Sequence, residues 1–75
     1  MERQSVNSSQ LKSVGHEDGV LEIEFSNGAV YQYQGSKVKD HYDGLMAANT
    51  AGESVGRYFN QNIRKCPHTS YGKVK

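Results

Sequence analysis

The residues best equipped for chemistry gather in the second half of the chain. Ser54-Val55-Gly56-Arg57 sets a hydroxyl, a residue without a side chain and a guanidinium within four positions. Where such a run opens a helix, unpaired backbone N–H groups and the guanidinium can together hold phosphate oxygens. Arg57 and Arg64 stand seven positions apart, which puts them nearly in line on one side of a helix, with Asn60 and Gln61 near them. The rings of Tyr31, Tyr33, Tyr58 and Tyr71 are of the kind that stacks on bases. Each feature has a plainer use. Ser is a common helix cap, aromatic residues favour strands, and charged helix faces are ordinarily just solvated. Their coincidence is what points to recognition of a phosphate-bearing ligand: Tyr31, Tyr33, Ser54, Gly56, Arg57, Asn60 and Arg64 are the candidate binding residues.

Bond-making chemistry has little support. No Ser, His and Asp fall in a triad-like arrangement, and Glu22 and Glu24 belong to an expected exposed strand face where two carboxylates are ordinary. The single cysteine, Cys66, forms no internal disulfide, in keeping with a reducing compartment. Cys66-Pro67-His68 supplies two potential ligands without the second pair a tetrahedral zinc site needs, and His16 and His41 stand at no recognisable spacing from it. No enzyme activity, metal or cofactor is expected.

Composition sets the scale. A chain of 75 residues with 35% hydrophobic residues, no Trp and a mean hydropathy of −0.80 folds as one small domain. A chain of this size buries only about 60% of the surface its unfolded form exposes, so homo-oligomerisation is a reasonable expectation. No apolar run approaches the roughly 20 residues of a membrane span, and the opening ten residues are too polar for a signal peptide. A cytoplasmic protein with no membrane contact is expected. The net charge of +1 hides an asymmetry: all eight acidic residues precede Arg57, and from there on the chain is wholly basic.

The elements that must position these residues are organised around a hairpin from Val20 to Gln34. Val20-Leu21-Glu22-Ile23-Glu24-Phe25 alternates apolar and acidic residues with the period of a half-buried strand. Ala29-Val30-Tyr31-Gln32-Tyr33 forms the second arm, and Ser26-Asn27-Gly28 between them is a strong turn signal. A two-residue turn would pair Phe25 with Val30 and set both tyrosines beside Glu22 and Glu24. A three-residue loop with Gly28 as the bulge residue pairs Phe25 with Ala29 and places both tyrosines among Leu21, Ile23 and Phe25. The second is preferred, because it leaves only Val30 out of place whereas the first buries Gln32 and Gln34.

A short strand at Leu11–Val14 precedes the hairpin, turning through Asp18-Gly19. Residues 1–5 are expected to be flexible. After Gly35, Ser36 is the expected cap of a first helix whose inward face is Val38, Tyr42, Leu45 and Met46, ending near Asn49. Gly44 costs that helix roughly 1 kcal/mol relative to Ala and lets it approach the sheet. Ser54 caps a second helix lined by Val55, Phe59 and Ile63, which stops by Cys66 because Pro67 disfavours helical backbone before it. Residues 67–75 form a basic tail or a short edge segment.

The sequence resembles the KTSC domain, a small module found at the C-terminus of some lysyl-tRNA synthetases and as a stand-alone protein of bacteria and their phages. The matching residues are Asn7-Ser8-Ser9, Val14-Gly15, Leu21 to Phe25 with Asn27-Gly28, the Tyr31-Gln32-Tyr33 motif, Tyr42, Leu45, Ser54 to Asn60, and Ile63-Arg64. They span residues 6–66, and the chain departs from the family in lacking prolines near Lys37 to Lys39 and in its longer Asn49–Glu53 connection. The resemblance implies a domain of that size and, through its association with a tRNA enzyme, an RNA-binding role.

The expectation is therefore an α+β domain: a three-stranded antiparallel β-meander covered by two C-terminal α-helices. Its expected role is non-enzymatic binding of RNA, single-stranded nucleic acid or a phosphate-bearing nucleotide. The competing reading is a protein-interaction adaptor or inhibitor acting through a sheet edge or helix face, with Lys12 the only charge guarding the first strand. Whether the acidic face of Glu22 and Glu24 adjoins the arginine face discriminates the two.

Overall fold

Alternating patterns and turn residues build an antiparallel sheet in chain order. The structure, a computed structural model, describes residues 2–65 and 69–74. Its strands are β1 (Gln4–Ser5), β2 (Leu11–Glu17), β3 (Val20–Phe25), β4 (Val30–Gly35) and β5 (Thr69–Lys73), in the order β1-β2-β3-β4-β5. One face of the sheet packs against α1 (Val38–Thr50), α2 (Val55–Tyr58) and a π-helical segment (Phe59–Ile63) that continues α2.

The hairpin takes the three-residue loop. Phe25 N donates to Ala29 O (2.8 Å), Gly28 N donates to Phe25 O (3.0 Å), and Gly28 adopts φ +90°, a conformation costly for a residue with a Cβ. Leu21 then stands opposite Tyr33 and Ile23 opposite Tyr31, so the tyrosines share the face that packs against the helices. Val30 falls on the polar face, as the pattern implied, yet it is buried. Val74 N donates to its carbonyl (2.8 Å), which sets Val74 beside it on that face.

Five strands replace the expected three. Gln4–Ser5, inside the stretch expected to be flexible, pair with Ser13 and Val14. Just before them, Arg3 lies over Gly15 and reaches Glu22 (3.3 Å) and Glu24 (3.7 Å) on the outer face. A two-residue strand is too short to show any alternation, and its pairing is reinforced by this charge contact between residues far apart in sequence. β5 is the edge segment left open at the other end, pairing Tyr71 with Tyr33 and Lys73 with Tyr31. β2 is longer than expected, reaching Glu17, and with β1 beside it is no longer an edge strand.

Both helices start or turn differently from their sequence signals. α1 opens at Val38 with Lys37 in the capping position and no side-chain cap; Ser36 stands one residue too early to serve. Its buried face is Val38, His41, Leu45 and Ala48, so Tyr42 and Met46 lie at the margin of the core rather than at its centre. Gly44 admits the Tyr58 ring of α2 rather than the sheet, since a Cβ there would overlap that ring. In α2 Ser54 does cap, its Oγ accepting from Arg57 N at 3.1 Å.

The helix then widens, Arg64 N donating to Phe59 O at 3.0 Å, five residues back, while the Asn62 side chain donates to Tyr58 O at 3.1 Å. Val55, Phe59 and Ile63 remain buried. The looser winding turns less per residue, which swings Arg64 away from the line of Arg57.

The core joins Leu11, Val14, Leu21 and Ile23 of the sheet to Leu45, Val55 and Ile63 of the helices, each at most 2% exposed. These large apolar groups fix the helical layer against β2 and β3. Tyr33 of β4 joins this core, and β5 lies at the outer edge of the sheet.

Candidate aromatic groove

A groove of about 680 Å³ is lined by residues of β3, β4, β5, the hairpin loop and the π-helical segment. Five aromatic rings line it and touch in a closed circuit. Phe25 meets Phe59 (centroids 5.3 Å apart, near perpendicular) and Tyr31 (5.6 Å); Tyr31 meets Tyr71 (6.0 Å); Tyr71 meets Tyr33 (5.6 Å); Tyr33 returns to Phe59 (6.0 Å). Such tilted and edge-on contacts satisfy the ring quadrupoles and hold each ring in place. Period-two strand geometry is the cause, since Phe25, Tyr31, Tyr33 and Tyr71 occupy one face of three neighbouring strands.

The circuit is graded in exposure. Tyr33 is 6% exposed at its base, Tyr31 is half-buried, and Tyr71 is 70% exposed at the open edge. Burial pushes the Tyr33 hydroxyl up to about 12, with Tyr31 and Tyr71 adding to the rise and the nearby Arg64 guanidinium opposing it. Tyr33 therefore stays neutral at physiological pH. Arg64 on the helix side and Lys73 on the sheet side place two cations along the groove.

Part of the lining is polar and uncharged. Gln10 and Asn60 line the groove there, joined by a hydrogen bond from Asn60 Nδ2 to Gln10 Oε1 (3.2 Å). Ser26 N donates to Gln10 O (2.9 Å), which ties this pair to the hairpin loop.

Four of the seven candidate residues meet here: Tyr31, Tyr33, Asn60 and Arg64. Ser54, Gly56 and Arg57 do not line the groove. The Ser54 hydroxyl is engaged in capping, and Gly56 is buried against the side chains of Gln10 and Ser8, so the chain's own loop takes the close approach that a phosphate would need. Arg57 is exposed elsewhere on the helix. Tyr58 packs on Gly44.

The groove also contains residues absent from the candidate set, notably Phe25, Phe59, Gln10, Tyr71 and Lys73. Tyr71 and Lys73 share the two-residue spacing of Tyr31 and Tyr33, the one sequence signal that could have joined them.

The acidic pair lies on the opposite face of the sheet. Glu22 and Glu24 both contact Arg3; Glu22 also accepts from Gln32 Nε2 (3.0 Å), and Glu24 from Ser13 Oγ (3.1 Å). Their charge is partly offset by the one guanidinium and turned away from the groove. Among the described residues no three His, Cys, Asp or Glu side chains converge as a metal site would need, and Cys66 and His68 lie outside those residues. No helix among them is long and apolar enough to cross a membrane.

Fold and groove together define a small α+β domain whose sheet carries an aromatic groove beside its helical layer. The chain belongs to the KTSC domain family, whose model matches residues 7–66. It is 36% identical over 76 residues to an uncharacterised protein of Stutzerimonas stutzeri, the alignment covering 99% of both chains. The crystal structure of a KTSC domain protein from Yersinia pestis superposes with a TM-score of 0.81 at 32% identity, covering 99% of this chain and 97% of that one.

Proposed function

We propose that the chain is a non-enzymatic binding module for single-stranded nucleic acid, RNA foremost, with one nucleotide as the unit the groove holds. The observation that carries this reading is the five-ring circuit opening through the exposed Tyr71 between Arg64 and Lys73. Unpaired bases stack on aromatic rings whatever their sequence, and nearby cations hold the phosphates. A groove of about 680 Å³ is of the size that small-ligand sites have, about 300–1,000 Å³. Glu22 and Glu24, which would repel phosphate, are on the far face and paired with Arg3.

The test is fluorescence-anisotropy titration of labelled single-stranded RNA, single-stranded DNA and duplex DNA at low and moderate salt, with nucleotides as competitors. Saturable, salt-sensitive binding of single strands supports the reading. No binding to any of them moves the weight to a protein partner.

That second reading has its own observation. β5 is the outermost strand, and Tyr71 and Val74, 70% and 53% exposed, are the large exposed apolar groups among the described residues. A partner strand added to β5 would cover both. On the other side of the sheet, β1 pairs with Ser13 and Val14 and Val6 N donates to Lys12 O, so the edge expected at the first strand is partly covered.

A further inference from the structure

The polar part of the groove lining has a definite hydrogen-bonding sense. Asn60 Nδ2 donates to Gln10 Oε1, and Gln10 Oε1 also faces Gly56, so the Gln10 carbonyl end is turned toward the helix. That orientation leaves Gln10 Nε2, a donor, and Asn60 Oδ1, an acceptor, without partners among the described residues. Both residues line the groove. Asn27 also lines the groove, but its Oδ1 already accepts from Ala29 N at 3.0 Å. The two amides thus form a linked pair in the groove lining, one donor and one acceptor side by side.

We infer that Gln10 and Asn60 read the hydrogen-bonding edge of a nucleobase whose ring rests on the aromatic circuit. This rests on the nucleic-acid reading of the groove and adds to it: the ligand is recognised by its base as well as by its charge. Side-chain amides pair with base edges through one donor and one acceptor, an arrangement that polyanions without bases cannot satisfy. The Watson–Crick edge of an unpaired base presents a neighbouring donor and acceptor, and in a duplex that edge is occupied. Single-strandedness and base recognition therefore follow from the same pair of side chains.

The experiment compares three RNA oligomers of equal length and charge: a natural one, one with abasic sugars, and one with aromatic isosteres that stack but cannot hydrogen-bond. The intact protein is expected to bind the natural oligomer about tenfold or more tightly than the isostere, and the abasic one weakest. Gln10→Ala and Asn60→Ala should each lower affinity for the natural oligomer and leave affinity for the isostere unchanged, which a merely structural role would not do. Equal affinity for natural and isosteric oligomers overturns base-edge reading while leaving the aromatic groove standing. Failure of all three to bind overturns both. Because the oligomer comparison uses the unaltered protein, it decides the matter even where a variant folds poorly.

Discussion

Tyr71 stands directly opposite Tyr33 across the β4–β5 ladder, their ring centroids 5.6 Å apart, one ring 70% exposed and the other 6%. The buried partner anchors the exposed one, so a stacking surface at the sheet edge is held in position without being enclosed. In the proposed role, a ring held in this way would lose less conformational freedom on binding than a free one.

Removing the exposed ring should cost binding more than folding. Tyr71→Ala is expected to weaken single-stranded RNA binding by about 1–3 kcal/mol, the usual worth of one base–aromatic stack, while the protein stays folded with a thermal midpoint lowered by the loss of two ring contacts. Parallel anisotropy and thermal-melt measurements check this.

The two arginines should separate. Arg64 lines the groove and lies close enough to Tyr33 to oppose its raised pKa, whereas Arg57 is outside the groove. Arg64→Ala should weaken binding and reduce the salt slope by about one; Arg57→Ala should do neither. Salt-dependence plots for the two variants provide the comparison.

Alkaline pH should act through Tyr33. Tyr33 is neutral in both states below pH 10; above it, the unfolded chain loses this proton while the fold keeps it until about 12. The unfolded state is thereby favoured, and stability should fall by roughly 3 kcal/mol across that window. Tyr33→Phe should remove this part of the alkaline loss, as read from unfolding curves at successive pH values.

Acid should act through His41, whose pKa burial in α1 holds below the ordinary 6.5, with Asp40 opposing the shift and Lys37 adding to it. Both states are uncharged there at higher pH. As pH falls through 6.5 the unfolded chain takes up the proton first, so stability declines until the folded group also titrates. Melting curves between pH 7 and 5 should show this for the native sequence and less of it for His41→Gln.

Gly44→Ala sets two effects against each other. Ala favours a helix by about 1 kcal/mol, but its Cβ would overlap the Tyr58 ring. Overpacking of this kind costs about 1–3 kcal/mol, so a net loss of stability is expected, and Tyr58→Ala should make Gly44→Ala less harmful. A double-mutant cycle by chemical denaturation measures the coupling.

What could be read from the chain depended on how local the cause was. Alternation and the Ser26-Asn27-Gly28 loop were enough for the hairpin register and hence the face of Tyr31 and Tyr33, and Ser54 announced its helix. The missing strands have distant causes: β1 is two residues long and secured partly by Arg3 reaching Glu22 and Glu24, and β5 depends on β4 for its place. Seven-residue spacing aligns Arg57 and Arg64 only in a uniform α-helix, which the bond from Arg64 N to Phe59 O breaks. Gln10 could not be found in advance because its neighbour Asn60 is 50 residues away.

The groove itself is tested most directly by titrating labelled single-stranded RNA and a duplex of the same length into the native protein and the Tyr71→Ala variant. The account predicts saturable, salt-sensitive binding of the single strand, much weaker binding of the duplex, and loss of the preference in the variant. Equal binding of duplex and single strand, or an unaltered titration with Tyr71→Ala, would contradict it.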